Sequence, residues 1–240
     1  TGRNHEVDIA LDPLEGTTIT AKGMPNSLSV IAAAQRGGLL YAPDTYMNKI
    51  AVGGNLPDDI IDLDATTKEN IQSIADAKKV PINEVTACVL ERSRHDSIIE
   101  DLRSIGAKIV LIPDGDVAGI IMTTQEHSSV DIYMGVGGAP EGVLAAAALQ
   151  CIGGQMQTRL VINNEDEKIR AEKIGIKDLN KKYSLDELAH GDIIFSATGV
   201  TEGTMVRGVR TNQNKYVTHS LVLRTGESSS QYIETYHDIS

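Results

Sequence analysis

The chain has 240 residues, 41% of them hydrophobic, with a formal charge of -11 and a pI near 5.0. That length can bury a sizeable core in one large domain or two small ones, and the acidity opposes nucleic acid, so a small anionic ligand needs locally placed cations. Aromatic residues make up 3%, with no Trp and one Phe, which excludes base stacking and leaves Ile, Val, Leu and Ala to build a core of helices packed on sheets. In chain order, Val7, Ile9 and Leu11 alternate as in a strand that delivers Asp12 to its carboxyl end. Pro13 fixes φ and Gly16 tolerates a backbone denied to other residues, predicting a tight turn that brings Asp12 and Glu15 to a common point beside Thr17. Hard divalent cations prefer oxygen ligands and turn amides suit phosphate oxygens, so the stretch points to metal-assisted phosphate chemistry. A strand ending in a polar turn is the plain alternative.

The apolar run Ser27 to Ala34, closed by Gly37-Gly38, and the run Lys49 to Val52 predict further strands, with Tyr46 between them as a half-buried aromatic or a ligand contact. From Thr66 the spacing of Ile71, Ile74 and Ala75 predicts a helix that Pro81 ends. Val85 to Leu90, Ser93 to Leu102 and Ile109 to Ile112 then read strand, helix, strand, which predicts crossover units with mainly parallel pairing and ligands at strand carboxyl ends. Arg94-His95-Asp96 and Asp114-Gly115-Asp116 fall at those ends. Taken alone they are a solvated helix start and a capped turn; their parallel placement lets backbone N–H groups and a guanidinium share a phosphate.

Val130 to Gly135 predicts a strand running into Gly135-Val136-Gly137-Gly138-Ala139-Pro140-Glu141-Gly142, with an Ala-rich helix through Ile152. A Gly-x-Gly-Gly joint is a weak dinucleotide signal, and Glu141 at the helix start would repel a pyrophosphate unless a metal intervened. A loop that approaches substrate and presents Glu141 to a cation is the expectation, with an acidic complement to the helix dipole as its alternative. Gln155 to Ile162, Ile193 to Ala197, Tyr216 to Leu223 and Tyr232 to Tyr236 predict strands, and Glu165 to Ile174 and Asp186 to His190 helices. Cys88 and Cys151 are expected to be isolated structural thiols in a reducing compartment. No window supplies the ~18 apolar residues of a membrane span, and the amino terminus lacks a signal pattern, so the expectation is a cytoplasmic protein with no membrane partner.

The string Asp12-Pro13-Leu14-Glu15-Gly16-Thr17 resembles the Asp-Pro-(Ile/Leu)-(Asp/Glu)-Gly-(Thr/Ser) signature of the metal-dependent, lithium-sensitive sugar and inositol phosphatases. Glu at its fourth place is similar to class II fructose-1,6-bisphosphatase. The resemblance continues through Pro43-Asp44-Thr45-Tyr46-Met47, Arg94-His95-Asp96, Pro113 to Ala118 and Gly135 to Gly142, and covers nearly the whole chain. It implies a layered α/β sugar-phosphatase fold with mixed sheets: residues 1–65 as the remainder of a metal-binding sheet subdomain and residues 66–240 as a sugar-phosphate-binding subdomain, packed as one functional unit. The implied activity is hydrolysis of the 1-phosphate of fructose 1,6-bisphosphate in gluconeogenesis, with sedoheptulose 1,7-bisphosphate a further substrate of some relatives.

By the same resemblance, Asp12, Glu15 and Glu141 hold Mg²⁺ or Mn²⁺. Thr17 works with Asp12 and Glu15 to orient the attacking water, since its own hydroxyl is too weak a base. Glu15, Gly16, Thr17, Tyr46, Arg94, His95, Asp96, Asp114, Gly115, Asp116 and Gly138 form the implied substrate shell. The implied partners are a small phosphorylated sugar and further copies of the chain in a homo-oligomer. In the resembled family an amino-terminal portion supplies two more acidic ligands, so this chain is expected to be a fragment, inactive or weak alone, with an uncovered early sheet. Inositol monophosphatase or bisphosphate nucleotidase activity is the related alternative, and a non-catalytic sugar-phosphate or metal sensor the alternative of another class.

Overall fold

In the computed structural model, which describes residues 6–227 and 229–239, the alternating amino-terminal run forms β1 (Val7–Glu15). The strand continues through Pro13, where a turn was expected, and the chain bends only at Gly16, which opens the short helix α1 (Thr17–Ala21). The next apolar runs form β2 (Leu28–Gln35) and β3 (Tyr46–Gly53). Helix α2 (Thr67–Lys78) is entered through a reciprocal cap between Thr66 and Glu69 and ends before Pro81. Then come β4 (Thr86–Leu90), α3 (Asp96–Ile105), β5 (Lys108–Ile112), α4 (Asp116–Ile121), β6 (Ile132–Gly138), α5 (Ala139–Ile152), β7 (Gly154–Val161) and α6 (Glu165–Lys173). The remaining elements are β8 (Tyr183–Ser184), α7 (Leu185–Leu188), β9 (Ile193–Gly199), β10 (Arg210–Asn212), β11 (Lys215–Arg224) and β12 (Gln231–Asp238).

Two sheets result. The first has the order β1-β2-β9-β11-β10, with β12 also paired to β11, and is antiparallel throughout. The second has the order β5-β4-β6-β3-β7-β8. Here β4 is parallel to β5 and β6, while β3 is antiparallel to both β6 and β7. The parallel crossover expected over β4, α3 and β5 is present, and the insertion of β3 makes the sheet as a whole mixed, as the family resemblance implies. Although α5 connects β6 to β7, the earlier strand β3 is inserted between them and runs against both. Both sheets draw on both sides of residue 65: β9 to β12 join β1 and β2, and β3 joins β4 to β8.

Helix α5 lies at the centre. Every residue from Gly142 to Leu149 is buried, as expected of a helix that is apolar all round. One core cluster joins Leu28, Val30, Phe195 and Leu221 of the first sheet to α4, α5 and the Met47, Ala51, Cys88 and Tyr133 face of the second. The opposite face of the second sheet, with Ile50, Val52, Ala87, Val89 and Ile132, packs on Ile71 and Ile74 of α2 and Ile99 and Leu102 of α3. The layers thus run sheet, helix, sheet, helix. Val7, Ile9, Leu11, Ile31 and Ile194 remain exposed on the outer face of the first sheet.

The thiols are unpaired; burial pushes Cys88 up to about 12 and Cys151 to about 11. Neither is a ready nucleophile at neutral pH. Among the described residues no helix is long and apolar enough to cross a membrane.

Small side chains let α5 lie between two sheets, so added volume there should be felt at once. Ala146→Leu, at a fully buried position, is expected to cost about 1–3 kcal/mol, read as a lower urea midpoint with an unchanged slope.

Candidate active site

Strand pairing explains how carboxylates three residues apart reach one face. The β1–β2 register is regular from Val7↔Gln35 to Asp12↔Val30, but the next pair is Glu15↔Leu28, so β1 carries one extra residue between them. In an unbroken strand, positions 12 and 15 would point to opposite faces. With the bulge, Asp12 and Glu15 both stand opposite buried β2 residues, Val30 and Leu28. Asp12 accepts from the Leu14 N–H at 3.0 Å, and Pro13, which has no donor to lose, suits such an irregularity. Gly16, at φ 82°, then turns the chain into α1.

Glu15 is only 3% exposed. Its Oε1 accepts from the Val117 N–H at 2.6 Å, at the positive amino terminus of α4, while its Oε2 is buried without a partner among the described residues. Burial first, and then the charges of Asp116 and Asp12, push the Glu15 carboxyl well above its ordinary range, against the Val117 hydrogen bond and the charge of Lys49. Glu141, in the first turn of α5, is raised by burial and by Asp116, with Lys49 opposing. Asp116 is itself buried and ion-paired with Lys49 of β3.

The sequence reading missed Lys49. Its signal was there: on β3 it shares a face with Met47 and Ala51, both fully buried, and a lysine between two apolar positions of one strand face is out of place unless paired.

Among the described residues no three Asp, Glu, His or Cys side chains are gathered into a complete metal-ligand set. The donors nevertheless fit a hard divalent cation. A buried carboxylate oxygen lacks any partner, and Glu15 and Glu141 are held protonated to higher pH by burial and neighbouring negative charge. A cation between them would satisfy the oxygen and offset that charge.

Asp12, Tyr46, Gly138 and Glu141 line one cavity of about 440 Å³, together with Asp44 and Glu167, two acidic residues absent from the sequence-based site. Tyr46 pairs with Gly138 across the β3–β6 ladder. The Arg94 guanidinium lies 4.9 Å from the centre of the Tyr46 ring, and its Nε donates to the Val136 carbonyl at 2.8 Å, which leaves its terminal nitrogens free of that bond. A cation stacked on an aromatic face is held in place without losing its donors.

His95 plays a different part. It is fully buried; Nε2 accepts from the Val136 N–H at 2.7 Å and Nδ1 faces the Leu90 carbonyl at 2.8 Å. Burial holds its pKa below the usual value, so a neutral ring with the proton on Nδ1 satisfies both bonds. Both ring nitrogens are thus committed to fixing the end of β6 beside Arg94; the loop expected there is absent, since β6 runs to Gly138 and α5 opens at Ala139.

Asp114 accepts from the Thr18 N–H at 3.2 Å and from Arg92 at 3.4 Å, which ties α1 to the β5–α4 turn. Thr17 is exposed at the start of α1, directly after Gly16. Gly115 adopts φ 86° to open α4 and lines, with Asp114, a small cavity of about 40 Å³. Asp96 is exposed at the start of α3 and lines a separate depression with Arg92 and Arg103.

A family model described as bacterial fructose-1,6-bisphosphatase, glpX-encoded, matches residues 1–237. A class 2 fructose-1,6-bisphosphatase of Haemophilus influenzae is 38% identical over 250 residues, covering 98% of this chain and 74% of that protein. Fructose-1,6-bisphosphatase 1 class 2 of Escherichia coli is 38% identical over 251 residues, covering 99% of this chain and 74% of its own.

The raised carboxyls make a signed prediction for the metal-free protein. Their folded pKa lies above the unfolded value near ~4.3, so their contribution is fully present below that value and is lost as pH rises through the folded one. In a chelating buffer the melting temperature should fall as pH rises above the ordinary glutamate range. Glu15→Gln, which keeps the volume and cannot ionise, should flatten this slope and raise the neutral-pH melting temperature by roughly 2–4 °C. A variant no more stable than the parent at neutral pH would contradict it.

Proposed function

The chain belongs to the glpX-encoded bacterial fructose-1,6-bisphosphatase family, and from that premise we propose that it hydrolyses the 1-phosphate of fructose 1,6-bisphosphate, a step of gluconeogenesis, giving fructose 6-phosphate and phosphate. The observation that carries this reading is the partnerless, buried Glu15 oxygen in a carboxylate cluster of which two members, Asp12 and Glu141, line a cavity together with Tyr46, the ring on which Arg94 stacks. The negative cluster suits a cation, and the guanidinium suits a phosphate.

Asp12, Glu15 and Glu141 would hold the divalent ion, Mg²⁺ or Mn²⁺, which when bound neutralises phosphate charge and supports the leaving oxygen. The chain's own residues do the rest. Arg94, braced by Tyr46 and the Val136 carbonyl, forks to phosphate oxygens and orients the ester. Thr17, exposed after Gly16, positions the attacking water with the nearby carboxylates. Gly16 and Gly138 let backbone approach the substrate closely, since neither carries a side chain. Asp114 and Asp116 set the β5–α4 turn against α1 and β3, and the sugar hydroxyls are read from this side. His95 acts by fixing the end of β6 beside Arg94. The Asp12 to Thr17 string supports placing the family among the lithium-sensitive sugar and inositol phosphatases.

Phosphate release from fructose 1,6-bisphosphate in Mg²⁺ or Mn²⁺, against inositol phosphate as competitor, tests the reading; preference for the inositol ester would overturn it. Asp12→Asn should raise the divalent concentration for half-activation by at least about tenfold, because a charged oxygen ligand is lost while volume is kept. A titration that overlays the parent at equal stability would remove Asp12 from the ligands. Arg94→Ala should raise KM by roughly tenfold or more while shifting the melting temperature by less than about 2 °C, since its side chain is exposed. Unchanged saturation would return Arg94 to the solvated helix start.

A further inference from the structure

Lys49 has no part in the activity described above, yet its whole side chain is buried and its ammonium pairs with Asp116. Burying such a pair is costly, and an apolar pair of similar volume is often as stable or more so. Here the rest of the same strand face is apolar, with Met47 and Ala51 fully buried.

The position of the ammonium is informative. A Cβ at Gly137 would stand 3.1 Å from Lys49 Nζ, and a Cβ at Gly142 would stand 3.1 Å from Lys49 Cε. Lys49 thus fills the space that two glycines leave at the β6–α5 junction, on either side of Glu141 in sequence. Its partner Asp116 is the first residue of α4, and the next residue, Val117, gives its N–H to Glu15. One side chain of β3 therefore touches both helix starts that carry the acidic cluster. Its charge opposes the effect of Asp116 on Glu15 and on Glu141 alike.

We propose that Lys49 is a positioning residue, a fixed internal cation that occupies Asp116, keeps that carboxylate from joining the divalent ion, and holds the first turns of α4 and α5 in place. The inference rests on the divalent-ion reading of Asp12, Glu15 and Glu141. It makes Asp116 part of the frame of the site, and it sets the charge that the incoming ion meets: the carboxylates of Asp12, Glu15 and Glu141, with the fourth already balanced.

The test is direct Mn²⁺ binding, followed by the paramagnetic resonance of free Mn²⁺, in Lys49→Met, Asp116→Asn and Lys49→Arg, with circular dichroism as the check on folding. Lys49→Met frees a carboxylate beside the ion and should tighten Mn²⁺ by about tenfold; Asp116→Asn leaves an uncompensated cation and should weaken it by about tenfold. Lys49→Arg should keep Mn²⁺ affinity near the parent's. A purely structural pair would move folding stability and leave Mn²⁺ affinity alone, so folded variants with unchanged affinity, or with shifts of the same sign, overturn the proposal. Should Lys49→Met fail to fold, unchanged affinity in Asp116→Asn overturns it alone. Phosphate release is measured in parallel: kcat should fall in both charge-changing variants with KM changing less. If the parent released no phosphate from fructose 1,6-bisphosphate, the functional reading would fail, while opposite Mn²⁺ shifts would still support the role of Lys49.

Discussion

Four carboxyl groups, those of Asp12, Glu15, Asp116 and Glu141, converge electrostatically where the first sheet meets the helix layer, and the arrangement of the site follows from the cost of keeping them there. Burial and mutual repulsion raise two of them, and each is answered by a different device. Asp116 has a buried ammonium. Glu15 has the amino terminus of α4 for one oxygen and no partner for the other. Glu141 sits in the first turn of α5, where the helix dipole favours an anion. The partnerless oxygen marks the place where protein groups alone leave the charge unsatisfied, and that is where a divalent ion adds most.

The scaffold makes this crowding possible by being rigid where the charges enter. Helix α5 is buried along nearly its whole length between the sheets, so its first turn cannot drift from β3 and β6. The glycines at the β6–α5 junction are required by close approach: side chains at Gly137 and Gly138 would collide with the carboxylates of Asp116 and Glu141. His95 locks the same junction from the other side through the Val136 N–H. The glycine-rich strand end and the helix start therefore act as one unit, which is the arrangement a catalytic geometry needs if it is to be set before substrate arrives.

The charge of -11 on the chain gives these local cations their importance. A sugar bisphosphate meets a repulsive field, and attraction must come from groups close at hand. Arg94, stacked on Tyr46, and Arg92, paired with Asp114, lie just before α3, whereas Asp12, Glu15, Asp116 and Glu141 belong to β1, α4 and α5. Cationic and acidic groups are thereby placed on different elements.

The residues themselves determined a good deal. Alternation in β1, the apolar run of β2, the 3.6-residue spacing of α2 and the alanine run of α5 identified those elements because hydrophobic pattern is local information. By their likeness to a known phosphatase signature, the motif strings singled out Asp12, Glu15 and Glu141 as candidate ligands and Arg94 and Tyr46 as candidate substrate contacts. Tertiary structure decided the rest. The one-residue bulge that brings Asp12 and Glu15 to one face is a property of pairing with β2, and no period in β1 announces it; Pro13 reads equally well as a turn. The mixed sheet arises because β3, distant in sequence, inserts between β6 and β7. His95 stands in a motif that resembles a substrate contact, yet its surroundings commit both ring nitrogens to backbone. Lys49 is an ordinary strand residue in one dimension and a buried counter-charge in three, since its partner lies 67 positions away in Asp116. Sequence carries the chemistry of each side chain and its local period; which charges face one another, and which are left without a partner, depends on contacts between elements far apart in the chain.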